Sequence, residues 1–246
     1  VHHILKHPAV LKSPAFIRNL LRRDLAAFLH AHVTQIADNE RMTVNTGSGE
    51  PCIRNDGDRT FHSWVRDTGA DHTSCPMSFT FCCYLIAEHD GKGFPSGAKH
   101  AYLTADLRLH LAAMCRMYND YGSERRDRRE SNLNCLDFPE FKPKSTLGSI
   151  DGTSDGTSDG TNEVNSVNGH QPKDTTLSDQ KAELLWIVEY ERRCLTLAFD
   201  KLKDTGISTT YVRALQLFID VTDLFGQLYV ARDIGIAQKP GVIATN

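Results

Sequence analysis

Helical periodicity dominates the hydrophobic pattern of this chain. Between residues 15 and 33, apolar side chains recur at three- and four-residue intervals, which is typical of one face of a helix. Ser13 and Pro14 precede this stripe and supply a cap and a first-turn proline. The stripe consists of Phe16, Leu20, Leu21, Leu25, Phe28, Leu29 and His32.

The remaining pattern also favours helices. It predicts two helical pieces over 60–66 and 76–87, interrupted at Gly69, and one long helix over 98–130. Two amphipathic helices are predicted over 180–203 and 208–234. Because strand signals are scarce, the sequence predicts an all-α bundle.

Two stretches carry no such pattern. Residues 43–59 are rich in Gly, Asn and Asp and are predicted to form a loop. Residues 146–178 are of low complexity and include a tandem Asp-Gly-Thr-Ser repeat. The aspartates of the repeat could indicate calcium binding, but a four-residue period matches no calcium solenoid. We therefore predict a disordered, removable insertion, because the segment has few apolar groups to offset the entropy of ordering.

Composition narrows the class of protein. A chain of 246 residues with 40% hydrophobic and 24% charged residues is typical of one ordinary globular domain. A net charge of −3 argues against a general nucleic-acid binder. No apolar run reaches the roughly 18 residues of a membrane span, and no signal peptide is recognisable. Seven cysteines without CxxC spacing indicate free thiols, so a cytoplasmic location is expected.

The strongest chemical signal lies in the predicted long helix. Asn119, Ser123 and Asp127 recur every four residues, which stacks three oxygen-bearing side chains on one helix face. Such hard ligands suit Mg²⁺. Asp120 lies about 100° around the helix from Asn119 and is not expected to be a ligand, so Asp120→Ala should lower activity only mildly compared with Asp127→Ala. Five arginines that could pair with phosphate lie nearby, namely Arg116, Arg125, Arg126, Arg128 and Arg129.

This segment resembles the second metal-binding motif of class I terpene synthases, Asn-Asp-x-x-Ser-x-x-x-Glu, with Asp127 at the position of the glutamate. Three further segments carry the resemblance: Phe-His-Ser-Trp-Val-Arg at 61–66, Ala-Asp-His-Thr-Ser-Cys-Pro at 70–76, and Asn-Leu-Asn with Phe-Pro-Glu-Phe within 132–141. Together they resemble the C-terminal class I domain of fungal bifunctional diterpene synthases of the ent-kaurene type. The similarity runs from about residue 20 to 233 and implies the isoprenoid synthase helical bundle.

The resemblance also implies a first, aspartate-rich metal motif on an earlier helix. The nearest acidic cluster, Asp38-Asn39-Glu40, has only two carboxylates and does not match that motif. We therefore expect this chain to be the C-terminal part of a longer protein, incomplete at its N-terminus. An upstream class II cyclase region is expected to precede it, and the chain alone is expected to be inactive.

For the complete protein, the resemblance implies a Mg²⁺-dependent cyclase that ionises geranylgeranyl or copalyl diphosphate. The product would be a polycyclic diterpene such as ent-kaurene. Asn119, Ser123 and Asp127 would be the metal ligands, although such a face without the resemblance would most often be merely solvated. The alternative is a non-catalytic helical domain kept for association or stability. A prenyl-chain elongase is a weaker possibility, because those enzymes use two aspartate-rich motifs.

Two arginines are predicted to bind diphosphate on the strength of the resemblance. Arg126 immediately precedes Asp127, but it could instead be a surface residue paired with Glu130. Arg66 ends a predicted helix ahead of a break, but it could instead form an ordinary surface ion pair. Both alternatives stay open from the sequence.

The aromatic residues and the helix break also allow two interpretations. The aromatic side chains could line a pocket that stabilises carbocations, or they could be plain core. The backbone from Gly69 to Asp71 could form a break near the substrate cation, or Asp71 and His72 could form a capped turn. The aromatic residues concerned are Phe61, Trp64, Phe79, Phe81 and Tyr84.

Overall fold

The computed structural model describes residues 2–44, 51–53, 59–91, 93, 97–142 and 176–232, and it confirms the all-α class. In chain order the elements are α1 (His2–Leu5), α2 (Pro8–Lys12), α3 (Ala15–Glu40), β1 (Met42–Val44), β2 (Pro51–Ile53), α4 (Phe61–Arg66), α5 (Thr68–His72), α6 (Cys75–Asp90), α7 (Ala98–Glu130), α8 (Leu177–Lys203) and α9 (Thr209–Ala231). Two 3₁₀ turns, Cys135–Asp137 and Pro139–Phe141, follow α7. Within these ranges, no helix combines the length and apolarity needed to cross a membrane.

The 33-residue helix α7 is the centre of the bundle. It extends over about 50 Å, and α4, α5, α6, α8 and α9 all pack against it. Its middle is buried on every side, as expected of a helix surrounded by others. Helix α8 meets it with buried residues at alternating four- and three-residue spacing, which is the pattern of two helices packed side by side. These residues are Leu184, Val188, Glu191, Leu195, Ala198 and Leu202.

Helix α3 is longer than its apolar stripe indicates, because it continues from 33 to Glu40. Its last turns bury polar rather than apolar side chains. Asp38 is 2% exposed, forms an ion pair with Arg59 and accepts a hydrogen bond of 3.2 Å from the Trp64 indole. The acidic cluster at 38–40 therefore has a structural role at the end of α3.

The predicted loop over 43–59 is wrong where the structure describes it. Strands β1 and β2 pair in antiparallel fashion, with Thr43 opposite Cys52. Three residues per strand are too few to give a periodic signal. Residues 45–50 and 54–58 lie outside the described ranges.

The predicted interruption at Gly69 is also wrong. The first break is at Asp67, between α4 and α5, and the second is at Thr73 and Ser74, where Ser74 has a φ of 62°. Gly69 lies inside α5, where an added Cβ would be 3.1 Å from the Trp64 ring. Its glycine therefore serves close packing against Trp64.

The predicted insertion over 146–178 lies largely outside the described ranges, so its disorder stays a prediction. Its last two residues belong to α8, which begins at Leu177 and is capped by Thr176, so that boundary is corrected. The Thr176 hydroxyl accepts a hydrogen bond of 3.2 Å from the Asp179 amide, and the Asp179 carboxylate accepts one of 3.0 Å from the Thr176 amide. This reciprocal capping box starts the helix at Leu177.

All seven cysteines fall within the described ranges, and all are free thiols. Cys75, Cys83 and Cys135 are buried, and the other four are partly exposed. The prediction of free thiols is therefore confirmed.

Candidate metal and diphosphate site

The predicted metal-binding face lies on an unbroken helix. α7 continues through Gly122 as far as Glu130, so Asn119, Ser123 and Asp127 share one face. Gly122 is tolerated inside the helix because α9 approaches it closely. An added Cβ at Gly122 would lie 2.5 Å from the carbonyl oxygen of Tyr229.

A second glycine makes the same contact from the other side. An added Cβ at Gly226 of α9 would lie 2.3 Å from the Tyr118 ring of α7. The two glycines, one on each helix, allow α9 to pack directly across the predicted motif. α9 is therefore a wall of the candidate site.

Ser123 and Asp127 form the buried part of the motif, at 1% and 5% exposure. The Ser123 hydroxyl donates a hydrogen bond of 2.5 Å to Asp127 Oδ2, and Asn134 Nδ2 donates one of 2.9 Å to the same oxygen. Asp127 Oδ1 lies 3.7 Å from the Arg126 guanidinium. Hydrogen bonds thus orient Oδ2 of Asp127, while Oδ1 faces the positively charged Arg126 guanidinium.

A cavity of about 520 Å³ lies between the α5–α6 junction, α7 and α9. Asn119 and Arg126 line it, whereas Ser123 and Asp127 are buried and are not among its lining residues. The structure therefore brings Arg126 to the candidate site, and Glu130 pairs with Arg129 instead, at 3.9 Å. The lining residues are His72, Thr73, Ser74, Cys75, Ser78, Cys115, Arg116, Asn119, Arg126, Phe218, Thr222, Phe225, Gly226 and Tyr229.

Arg116 is a cavity residue whose importance the sequence did not reveal. It is 5% exposed, and its guanidinium carbon lies 4.6 Å from the centre of the Trp64 ring. It donates hydrogen bonds to Asp120, at 3.0 Å, and to the Leu133 carbonyl, at 2.8 Å. Burial opposes its charge, but nearby acidic groups, chiefly Asp120, outweigh that effect and raise its pKa. Its position three residues before Asn119 was the signal that could have identified it.

Asp120 lies off the predicted ligand face and pairs with Arg116. Its carboxylate is fully buried and accepts a hydrogen bond of 2.8 Å from the Cys135 amide. Burial raises the pKa of Asp120 to about 6, despite the opposing effect of Arg116. Asp120 therefore ties α7 to the turn that follows it.

His72 contributes a neutral polar group to the cavity. Burial, and then the charge of Arg116 and the neighbouring His32, lower the pKa of His72 to about 4. The His72 and His32 rings stack with centroids 4.2 Å apart. Near neutral pH, His72 thus adds a hydrogen-bonding group without adding charge.

Arg66 is not brought to this cavity. It forms an ion pair of 2.5 Å with Glu191 Oε1, and Glu191 Oε2 lies 2.5 Å from His110 Nδ1. Since Glu191 is only 4% exposed, this is not the ordinary surface pair of the alternative interpretation. Arg66 lines a separate cavity of about 300 Å³ with Asp71 and Arg108, and its diphosphate-binding role stays a prediction.

The predicted aromatic residues form core rather than the wall of this cavity. Phe61 and Trp64 pack against Phe138, and Phe79 and Tyr84 are completely buried. Phe81 is partly buried and packs against the smaller core cluster that contains Tyr84. The cavity takes its aromatic side chains from α9, namely Phe218, Phe225 and Tyr229. The sequence signal that could have identified this wall is that α9 is apolar on several faces. Several of its apolar side chains are exposed in the structure, namely Leu217, Val221, Leu224, Phe225 and Leu228.

Comparison with known proteins identifies the family. No protein-family model and no solved structure matches the chain. It is 33% identical to an ent-kaur-16-ene synthase of Phaeosphaeria sp. (strain L487), over 97% of this chain and 22% of that protein. It is 32% identical to a pimaradiene synthase of Emericella nidulans, over 93% of this chain and 21% of that protein. This chain belongs to the fungal ent-kaurene-type terpene synthases. It spans about a fifth of the length of these curated relatives.

Another relative differs in the product that its name states. A phyllocladan-16-alpha-ol synthase of Phomopsis amygdali is 26% identical over 93% of this chain and 22% of that protein. These three relatives are thus named for two olefins and one alcohol.

The side chains of this terpene synthase segment fit Mg²⁺ through their donor chemistry. Within the described ranges, no three His, Cys, Asp or Glu side chains cluster as a metal site. The predicted set instead offers an amide oxygen, a hydroxyl and one carboxylate. Mg²⁺ accepts such a sparse set of oxygens because it keeps water and substrate phosphate as its other ligands.

Proposed function

We propose that this chain forms half of the active site of a Mg²⁺-dependent diterpene synthase acting on a C20 prenyl diphosphate. Geranylgeranyl or copalyl diphosphate is the substrate, and a polycyclic diterpene such as ent-kaurene is the product. The observation that carries the proposal is that Asn119, Arg116 and Arg126 line one cavity, while Ser123 and Asp127 lie on the same helix face as Asn119 and are buried.

Metal binding would fall to the oxygens of Asn119, Ser123 and Asp127. When bound, Mg²⁺ supplies Lewis acidity that stabilises the departing diphosphate. The hydrogen bonds from Ser123 and Asn134 orient the Asp127 carboxylate in advance. Such preorganisation lowers the cost of arranging charges during the reaction.

The two cavity arginines account for the remaining charge of the diphosphate. Arg116 stays protonated because acidic neighbours raise its pKa, and the Arg126 side chain is 37% exposed. The Arg126 guanidinium can donate a pair of hydrogen bonds to phosphate oxygens. Arg116 already donates to Asp120 and to the Leu133 carbonyl, so it contributes chiefly its positive charge. His72 remains neutral and does not compete for the anion.

The α9 wall suits the hydrocarbon part of the substrate. Phe218, Phe225 and Tyr229 present aromatic surface to the cavity. Aromatic faces attract cations and exclude water that would quench a carbocation. The same cavity therefore combines an anion-binding side on α7 with an apolar side on α9.

The test is turnover in the full-length gene product, because the chain alone carries only one metal motif and should convert little or no substrate. Full-length protein should convert geranylgeranyl or copalyl diphosphate in a Mg²⁺-dependent manner, as measured by gas chromatography of an extract. Asp127→Ala should lower turnover by roughly two orders of magnitude or more, because it removes a ligand that acts in ionisation. Asp127→Asn should have a similar effect while keeping the shape of the side chain.

Asp200→Ala is the matched control, because it removes an exposed carboxylate of α8 that pairs with Lys203. This variant should turn over like the wild type. Wild-type protein inactive on both substrates, or Asp127→Ala as active as wild type, would instead support the non-catalytic helical domain.

A further inference from the structure

The ring of His72 is held in one orientation at the edge of the cavity. His72 is the last residue of α5 and lines the cavity together with Arg116. Its ring stacks on the ring of His32 in α3, with an angle of 29° between the two planes. His72 Nδ1 faces the Arg116 guanidinium and lies 3.4 Å from its Nη1. One contact holds the face of the ring and the other holds its edge, so the second ring nitrogen, Nε2, has a fixed position.

The contact with Arg116 decides which ring nitrogen carries the proton. A guanidinium has only N–H donors and no acceptor. Nδ1 must therefore present its lone pair to Arg116, because an N–H group in that place would point at another N–H group. Burial and the charge of Arg116 lower the pKa of His72 to about 4, so the ring holds only one proton near neutral pH. That proton is on Nε2.

The resulting Nε2–H group is a donor without an acceptor. Within the described ranges, the contact of Nδ1 with Arg116 is the one polar contact of the His72 ring. Nε2 is also not one of the sealed polar atoms of the core. Since His72 lines the cavity, a molecule bound there can accept a hydrogen bond from Nε2.

We propose that His72 binds the diphosphate of the substrate as a neutral donor, through a hydrogen bond from Nε2–H to a phosphate oxygen. This role rests on the proposed function, which puts the diphosphate beside Arg116 and Asn119. Arg116 supplies positive charge there, and His72 adds a directed hydrogen bond to a charged acceptor. No bond to hydrogen breaks, so His72 keeps the same tautomer throughout.

A neutral donor suits a reaction that creates a carbocation beside the diphosphate. A protonated histidine would add a second positive charge next to Arg116 and would repel the carbocation at short range. The neutral ring stabilises the leaving group without that repulsion. The same tautomer excludes His72 as the base that removes the final proton, because Nδ1 faces Arg116 and Nε2 already carries a proton.

The tautomer is tested in the 246-residue chain, without metal or substrate. Nitrogen-15 NMR of histidine-labelled chain distinguishes the Nε2–H form from the Nδ1–H form by the shifts of the two ring nitrogens. The spectrum of His72→Gln identifies the signals of His72 among those of the 11 histidines. At pH 7 we expect the Nε2–H form. The Nδ1–H form, or a doubly protonated ring, would overturn the proposal.

Binding is tested in the full-length gene product by calorimetric titration with inorganic diphosphate in the presence of Mg²⁺. His72→Gln keeps an N–H donor at nearly the reach of Nε2, whereas the shorter side chain of His72→Asn ends near the position of Nδ1. We expect affinity like the wild type for His72→Gln, and roughly tenfold weaker binding for His72→Asn and His72→Leu, the loss typical of one hydrogen bond to a charged acceptor. His62→Leu removes an exposed histidine of α4 and is the control, which should bind like the wild type.

The variants separate anion binding from support of Arg116, and circular dichroism checks that each is folded. Recovery by His72→Asn but not by His72→Gln would show that His72 merely positions Arg116, which would overturn the proposal. Unchanged diphosphate affinity in His72→Leu, with a changed ratio of olefin to alcohol products, would overturn it as well and assign the donor to a bound water. A wild type whose diphosphate binding depends on His72, but which converts no C20 prenyl diphosphate, would contradict the proposed function and still support this role of His72.

Discussion

Replacing Asp120 by alanine is expected to cost stability, a separate effect from the mild loss of activity that its position off the ligand face predicts. The carboxylate is fully buried and lies 3.0 Å from Arg116 Nε. It also accepts a hydrogen bond of 2.8 Å from the Cys135 amide. Asp120→Ala would leave a buried guanidinium without its carboxylate and a buried N–H group without its acceptor.

The expected magnitude follows from these contacts. Removing one partner of a buried ion pair typically costs about 3–5 kcal/mol, because the remaining charge is uncompensated. Arg116 keeps its bond to the Leu133 carbonyl and its position over Trp64. The pKa of Asp120, raised to about 6, shows that its ionised form is itself disfavoured. Because Arg116 keeps these contacts and ionised Asp120 is itself disfavoured, we expect the free energy of unfolding to fall by about 3 kcal/mol, the lower end of this range.

Urea denaturation of the 246-residue chain, followed by circular dichroism at pH 7, measures this loss. Asp120→Asn keeps an acceptor for both donors and should lose about half as much, because neutral hydrogen bonds are about half as strong as charge-assisted ones.

Asp200→Ala is the control for removing a helical aspartate with a basic partner, since that pair is exposed. Its Asp200 and Lys203 side chains are 56% and 44% exposed, so the loss should be about 0–1 kcal/mol. If Asp120→Ala costs no more stability than Asp200→Ala, the buried ion pair does not stabilise the fold.

Two further predictions concern α9 and His72. Gly226→Ala places a Cβ 2.3 Å from the Tyr118 ring, so it should destabilise the chain by about 1–3 kcal/mol, despite the better helix propensity of alanine. Thermal melting checks this, and an unchanged melting temperature would show that α9 moves aside freely. The pKa of folded His72 is about 4, below its ordinary 6.5, so the folded state binds fewer protons and this group loses stability as pH falls from 6.5 towards 4. Between pH 7 and pH 5, the melting temperature of His72→Asn should therefore fall less than that of the wild type. An equal fall in both proteins would contradict a lowered pKa of His72 in the folded state.

Periodicity predicted the long helices but not the elements that depend on buried polar groups. The limits of α7 at 98 and 130 follow from Gly97 before it and the left-handed Ser131 after it. The end of α3 was missed because its last turns bury polar side chains. Gln35, for example, is 7% exposed and contacts the Leu133 carbonyl at 3.4 Å. A hydrophobic pattern does not predict which polar side chains find hydrogen-bonding partners in the core.

The sequence predicted the candidate site only where its residues are close neighbours along one helix. Spacing placed Asn119, Ser123 and Asp127 on one face, because neighbours on a helix are fixed by 3.6 residues per turn. The partner of Arg66 is Glu191, which lies 125 residues away. The α9 aromatic residues reach the cavity across a similar separation in sequence. No short-range rule connects such positions, so only the packed bundle shows which side chains meet.

The fixed orientation of Asp127 has a consequence for finding comparable sequences. A search pattern of Asn-x₃-Ser-x₃-Asp would retrieve any helix that has three small polar residues in a row along one side. Asn134 lies beyond the helix, yet its Nδ2 donates hydrogen bonds to Asp127 Oδ2, at 2.9 Å, and to the Asp120 carbonyl, at 2.8 Å. The longer pattern Asn-x₃-Ser-x₃-Asp-x₆-Asn therefore includes a position that helical repetition cannot produce by itself. Screening uncharacterised genes with that extended signature should discard chance matches and retain those able to hold the acid in place.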